Sequence, residues 1–443
     1  MDIKRRDFLK LVGASAVGAV LYNACVARPG ELNIQSPAYI PEDVVNGTDN
    51  WYATLCPTCT SREGLVIRVM EGRAKKVQGN PEYPINLGKH SARCEATLQA
   101  LYHPERLKRP LRRTGPRGSL EFEEISWSEA MGLLLDQLNA HRGTGTMVMV
   151  TDPLRGTLAT VVDRFVREYG GQHMAFEPVE QVTLRQAMKE LFNQDWLPHF
   201  DIRNTRYLLS FGADFLSTWL SPVNYGVQYG QFRQGEGRPR GLLVQVDSRF
   251  SMSAANADQW LPIRPGTEGL LALSIAHVIA REGLGNQQAV QAVFGGTQAL
   301  EPFRPEAVAE AVGLPGGAAR IEEVARAFAT QRPSLAMGGG SAAAHTNGLF
   351  NLKAIYALNF LVDSVGREGG IIFNPQPPVP ELQTALRGAS FQQWEELSRR
   401  VESRQPPVNL LITRGADIVY GLHPQVNLEQ HLGEGRIGYM VAF

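Results

Sequence analysis

The chain has 443 residues, with 44 basic and 44 acidic side chains and no formal net charge. Nothing in that balance suggests an electrostatic partner such as nucleic acid, and none is expected. Apolar residues make up 43% and charged residues 20%, an ordinary globular composition, and the length suits about three domains.

The N-terminus reads as an address. Residues 4–10 include Arg5, Arg6, Phe8, Leu9 and Lys10, and an apolar run follows from Leu11 to Tyr22. A permanent transmembrane helix needs about 20 apolar residues, so this run is too short. A twin arginine before a modest apolar stretch marks a Tat export signal. The expected location is therefore the periplasmic face of the cytoplasmic membrane. Cys25 follows Ala24 at the end of the run and is a candidate lipidation site, although Tyr22 and Asn23 depart from a lipobox. Signal and lipobox together would occupy residues 1–30. Residues 26–50 are polar, with Pro29, Pro37 and Pro41, and read as an extended arm.

The cysteines are Cys25, Cys56, Cys59 and Cys94, too few for a disulfide scaffold of this size. The C-x-x-C pair Cys56 and Cys59 lies in a turn-rich stretch and reads as a metal, cluster or redox pair. A local disulfide between the two is the competing reading.

Further along, short apolar runs at 147–151, 207–211, 242–246, 335–337 and 409–412 each lead into a loop bearing Gly or Asp and then a helical stretch. Residues 269–282 read as a mostly buried helix. Buried strands alternating with helices imply an α/β fold of doubly wound parallel sheets, two Rossmann-like domains in all. Ligands of such sheets sit at the strand C-terminal ends. Residues 438–443 read as a buried apolar strand. A chain stopping on one is expected to be truncated or completed by a partner.

Several strand-ending loops have the chemistry of a dinucleotide site. In Phe211-Gly212-Ala213-Asp214, Gly212 would let backbone approach a phosphate. In Val246-Asp247-Ser248-Arg249, Asp247 would take a ribose hydroxyl or base edge and Arg249 a phosphate. In the stretch from Arg264 to Glu268, Gly266 precedes Thr267, a candidate helix cap, and Glu268, a first-turn acid. Gly338 to Gly340 and Arg414-Gly415-Ala416-Asp417 repeat the theme.

In this order, these segments resemble the molybdopterin oxidoreductase family. So do Asn347-Gly348, the stretch from Gly366 to Gly370, Leu98 to Leu107, and Ile125 to Ala130. The resemblance runs from about residue 51 to the end. It implies a small cluster-type domain at 45–108, a second domain built from 109–175 and 330–443, and a third at 176–330. The family's fourth, C-terminal barrel domain has no counterpart here. The family's cofactors are bis-molybdopterin guanine dinucleotide and a [4Fe–4S] cluster, and its loops would place Gly212, Asp214, Asp247, Arg249, Gly266, Thr267, Glu268 and Arg93 at the cofactor. The position of Glu268 is usually Asp in the family.

The resemblance also exposes losses. Family members hold the cluster on C-x2-C-x2–3-C and a distant fourth Cys, and four thiolates are normally needed. Here Cys56 and Cys59 fill two positions and Glu63 stands at the third. Counting back from Leu98 puts Ser91 at the fourth, Arg93 at the basic residue and Cys94 at the glycine. A local slip would let Cys94 serve instead. A carboxylate is a hard ligand and a poor substitute for thiolate on iron. Zinc on Cys56, Cys59 and Cys94 with one further ligand stays open. The family's molybdenum ligand is also missing: residues 176–187 hold no Cys or Ser, only Thr183, Glu177 and Glu180.

The expected cofactor content is therefore none, and no residue is assigned a catalytic role, including His90, His103, His345 and His423. The resemblance is nearest to the molybdopterin-like half of the large iron–sulfur protein of alternative complex III. That implies a catalytically silent subunit of a membrane-associated, quinol-oxidising complex. Its partners would be a ferredoxin-like iron–sulfur subunit or domain, a membrane quinol-binding subunit and cytochrome c subunits. The alternative is an active enzyme of the polysulfide or thiosulfate reductase or formate dehydrogenase type. A non-redox binding protein that keeps the nucleotide pocket is the third reading.

Overall fold

The structure, a computed structural model, describes residues 47–443 apart from 60, 178–180, 195, 236, 238, 376–378 and 380–384. The segment expected to be an export signal, Cys25 and Glu180 lie outside the described residues.

The N-terminal unit is an antiparallel meander of β1 (Asp49–Leu55), β2 (Gly64–Met70) and β3 (Arg73–Gly79). β2 and β3 are joined by Glu71 and Gly72, both at positive φ, the two-residue connection that matches strand twist. Two short helices, Ala92–Glu95 and Thr97–Leu101, follow. The core here is small: Cys56, Leu65, Val77 and Cys94, with Ile67 and Leu98 against them.

A second unit begins with an exposed hairpin, Leu111–Arg113 with Phe122–Glu124, and the helix Trp127–His141. β4 (Met147–Thr151) and β5 (Gln172–Ala175) follow, linked by the helix Gly156–Glu168. The third unit holds β6 (Tyr207–Phe211), β7 (Leu242–Val246), β8 (Gln259–Leu261) and β9 (Ser334–Gly338), paired parallel in the order β8-β7-β6-β9. The chain then returns with β10 (Leu410–Arg414) and β11 (Tyr439–Ala442), giving a second parallel sheet in the order β11-β10-β4-β5.

Alternation along β4 explains why both faces of that sheet are covered. Met147 and Met149 join the helices Trp127–His141 and Gly156–Glu168 in one core, and Val148 and Val150 join the helix Phe391–Ser403 in another. β6 and β9 are buried along their whole length, as strands roofed by helices must be. The doubly wound parallel architecture expected from the sequence is the one observed.

Two expectations need correction. Residues 334–338 pair with β6, and the helix Gly348–Leu361 packs on Glu268–Arg281, so the segment from 330 belongs at first to the third unit. The second unit resumes with Ala385–Leu386, which pairs with Leu154–Arg155. Sheet membership depends on which neighbour a crossover reaches, and the run at 335–337 carries no mark of that. The terminal strand β11, expected to be buried, is a half-exposed edge strand. Among the described residues, no helix is long and apolar enough to cross a membrane.

Candidate cofactor and cluster sites

The cysteine loop links β1 to β2 and is closed by the Cys56 N–H donating to Glu63 O at 2.8 Å. Cys56, Glu63 and Cys94 are buried. The Cys94 thiol donates to Glu63 Oε2 at 2.7 Å, and the Ser91 N–H donates to the same oxygen at 3.1 Å. Ser91 caps the helix Ala92–Glu95, its Oγ accepting the Cys94 N–H at 3.4 Å. Both candidates for the fourth position therefore reach the pocket. Burial, then the bond to Glu63, pushes the Cys94 thiol well above its ordinary range. Cys59 is half-buried and meets Ser61 Oγ at 2.8 Å. Cys56, Cys59 and Cys94 are all free thiols, so the Cys56–Cys59 disulfide is not formed. Arg93, expected at the cofactor, is exposed on the short helix Ala92–Glu95.

In the second unit the strand order reverses between β4 and β10, where an open α/β sheet offers its crevice. A cleft of about 560 Å3 opens there, lined by Asp152, Arg414, Gly415, Phe176 and, from the cysteine loop, Cys59 and Arg62. Asp152 accepts from the Arg62 guanidinium and from Arg414 Nη1, the latter at 2.7 Å. Neither Arg62 nor Asp152 stands out in the sequence. The only available signal is an acid directly after a strand.

In the third unit the reversal falls between β6 and β9, and there the loops close on one another. Gly212 has φ +64°, and a Cβ on it would lie 2.4 Å from Ser341 Oγ and 2.6 Å from Ala342 N. Its freedom serves a close approach of two protein loops. Asp214 Oδ1 accepts from Ser253 N and Oγ at 3.0 and 2.9 Å. Asp247 is buried and accepts from the Arg249 N–H and Ser341 Oγ, both at 3.4 Å. The Arg249 side chain is 69% exposed, held loosely by Asp214 at 3.4 Å.

Thr267 stands at the cap position of Glu268–Arg281 without capping it, since its Oγ donates to Arg264 O at 2.6 Å. Gly266 O accepts from Asn347 Nδ2 at 2.8 Å. Glu268 is buried, its Oε2 accepting from Asn351 Nδ2 at 3.1 Å, while its Oε1 has no partner. Burial raises its pKa above the carboxylate norm. Sequence reasoning missed Asn351 and Ser341, because their partners lie far along the chain.

The sequence pattern of molybdopterin oxidoreductases matches residues 106–422, and that of the molybdopterin oxidoreductase Fe4S4 domain matches 49–103. The chain belongs to the molybdopterin oxidoreductase family. It is 30% identical to the menaquinone reductase, molybdopterin-binding-like subunit, of Nitratidesulfovibrio vulgaris, covering 84% of this chain and 52% of that one. It is 28% identical to the thiosulfate reductase molybdopterin-containing subunit of Salmonella typhimurium, over 84% and 48% of the two chains. The chain thus spans about half the length of the curated relatives it matches. Acetylene hydratase from Pelobacter acetylenicus shares the fold, with a TM-score of 0.71 at 19% identity over 88% of this chain and 60% of that one.

Family membership implies a cluster and a pterin-bound metal, and the residues can be tested against both. The cluster pocket offers two buried thiols, a half-buried thiol and a carboxylate that already accepts the proton of one thiol, which is not a four-thiolate donor set. Among the described residues no group of three or more His, Cys, Asp or Glu side chains is arranged to hold a metal ion. Where a molybdenum ligand is expected, Thr183 lies in the helix Val182–Phe192, and Glu177 is paired with Arg185 at 3.1 Å. The donors fit neither metal. The dinucleotide is better served: the free Oε1 of Glu268, the exposed Arg249 and the cleft at Arg414 and Gly415 are groups able to hold its polar ends.

Proposed function

We propose that this chain is a molybdopterin oxidoreductase-like subunit of a membrane-associated, quinol-linked electron-transfer complex, running no molybdenum chemistry of its own. The observation that carries this reading is that, among the described residues where a molybdenum ligand is expected, Thr183 lies within a helix and Glu177 is paired with Arg185 at 3.1 Å. A relative named as a menaquinone reductase subunit that is molybdopterin-binding-like supports the quinone link. Export by the Tat route to the periplasmic face rests on Arg5, Arg6 and the apolar run after them. The partners in this reading are a ferredoxin-like iron–sulfur component, a membrane quinol-binding subunit and cytochrome c subunits.

An exposed apolar face supports a subunit role. Trp127, Met131 and Leu135 recur every fourth residue on one side of the helix Trp127–His141, and all three are exposed, beside exposed Leu120 and Phe122 of the hairpin. A row of exposed apolar side chains on one helix face suits an interaction site. The test is metal analysis of the protein purified with its complex from native membranes. Molybdenum and tungsten are expected far below one per chain. One atom per chain would overturn the reading.

The second reading, an active reductase, is favoured by the cleft at Asp152 and Arg414 and by the thiosulfate reductase relative. It predicts stoichiometric pterin fluorescence after acid release together with the metal.

A further inference from the structure

The carboxylate at the third cluster position ties the cysteine loop to the turn of Ser91 and Cys94. Glu63 Oε2 accepts the Cys94 thiol proton at 2.7 Å and the Ser91 N–H at 3.1 Å, and Oε1 accepts from Ser61 Oγ at 3.4 Å. The Glu63 carbonyl accepts the Cys56 N–H at 2.8 Å, closing the loop. The next residue continues the tie: Gly64 N–H donates to Asn86 Oδ1, and Asn86 Nδ2 donates to Gly64 O, both at 2.9 Å. The loop of Cys56 and Cys59, Asn86, and the turn of Ser91 and Cys94 are thus joined without a metal.

The unit needs some such tie. Its core is four buried side chains with two more against them, too little apolar area to order so small a unit alone. Small units commonly make up that deficit with metal or disulfide bonds, and its three thiols are unbridged. A carboxylate can accept several hydrogen bonds at once, and its charge strengthens the bond from a weak thiol donor.

We propose that Glu63 is a built-in substitute for metal: a buried thiol–carboxylate latch between Glu63 and Cys94 holds the N-terminal unit together where a cluster would. The inference rests on the reading of this unit as one without a cluster, and adds how it stays folded.

Infrared spectroscopy of the full-length protein tests it, because the S–H stretch falls where other protein groups do not absorb. The wild type is expected to show an S–H band at lowered frequency. Cys94→Ser removes that band and Glu63→Gln moves it to higher frequency. EDTA leaves the wild-type Tm unchanged, and anaerobic Co2+ gives no thiolate-to-cobalt charge-transfer band. Glu63→Ala lowers Tm by several degrees. A band indifferent to Glu63→Gln, a Tm that falls with EDTA, or a stoichiometric cobalt–thiolate band in the wild type would each overturn the latch. Should the variants fail to fold, the wild type decides: an S–H band only at the frequency of free thiols, an EDTA-sensitive Tm or a cobalt–thiolate band would each overturn the latch, and a lowered S–H band without either would uphold it. Metal content tests the functional reading separately: a protein free of iron and molybdenum whose S–H band ignores Glu63 would keep the silent subunit and lose the latch.

Discussion

Glu268 buries both carboxyl oxygens at the start of its helix, and only one finds a donor. A buried polar atom without a partner costs about 1–3 kcal/mol, and burial answers by holding the proton to a higher pH than the usual 4.5. The sign follows from linkage. A folded pKa above the unfolded one gives stability that is full below pH 4.5 and lost as pH rises through the folded value. Glu268→Gln should flatten that loss and raise stability near neutrality by about 1 kcal/mol, read as a Tm gain that grows as pH rises above 4.5. Gly212 makes the opposite case. Its φ of +64° and the neighbours 2.4 and 2.6 Å from a built Cβ leave no room for a side chain. Gly212→Ala should cost about 2–5 kcal/mol in a urea melt. A loss under about 0.5 kcal/mol would mean that the loops at β6 and β9 do not close as described.

The helix Trp127–His141 has Leu138 as its one buried residue, while Trp127 and Met131 stay exposed. Ser126 caps it, accepting the Glu129 N–H at 3.2 Å, so its N-terminal end is secure even though one face is bare. Beside it the hairpin is pinned by Arg117, whose guanidinium donates to the carbonyls of Leu432, Ile437 and Gly438 at 2.6–2.9 Å. A bare apolar face on a firmly held element suits binding rather than folding. Trp127→Asp combined with Met131→Asp should therefore leave the stability of the isolated chain within about 0.5 kcal/mol. The same variant should lose co-purification with membrane partners. Retained co-purification would place the partner interface elsewhere.

Across the whole molecule, the small N-terminal unit meets the second unit through Arg62, Asp152 and Arg414. All three are partly exposed, and partly exposed pairs contribute under about 1 kcal/mol. Asp152→Asn should leave the global Tm almost unchanged. Limited proteolysis within residues 80–110 should nonetheless become several-fold faster, because the N-terminal unit has little core to fall back on. Unchanged cleavage would show that the bridge plays no part in docking that unit.

Local pattern alone determined a good deal of this protein. Runs at 147–151, 207–211 and 242–246 are the observed strands, because an apolar run between turn residues favours a buried strand wherever it sits. The helix read at 269–282 is observed as Glu268–Arg281, and the order of glycine-bearing loops carried the family. What each loop residue touches was settled only by the fold. Gly212 meets Ser341, Asp214 meets Ser253, and Glu63 meets Cys94, pairs separated by tens of residues or more. Such contacts depend on which strands become neighbours and on how crossovers return. That choice is made by the burial of whole sheet faces, and no short stretch of sequence records it.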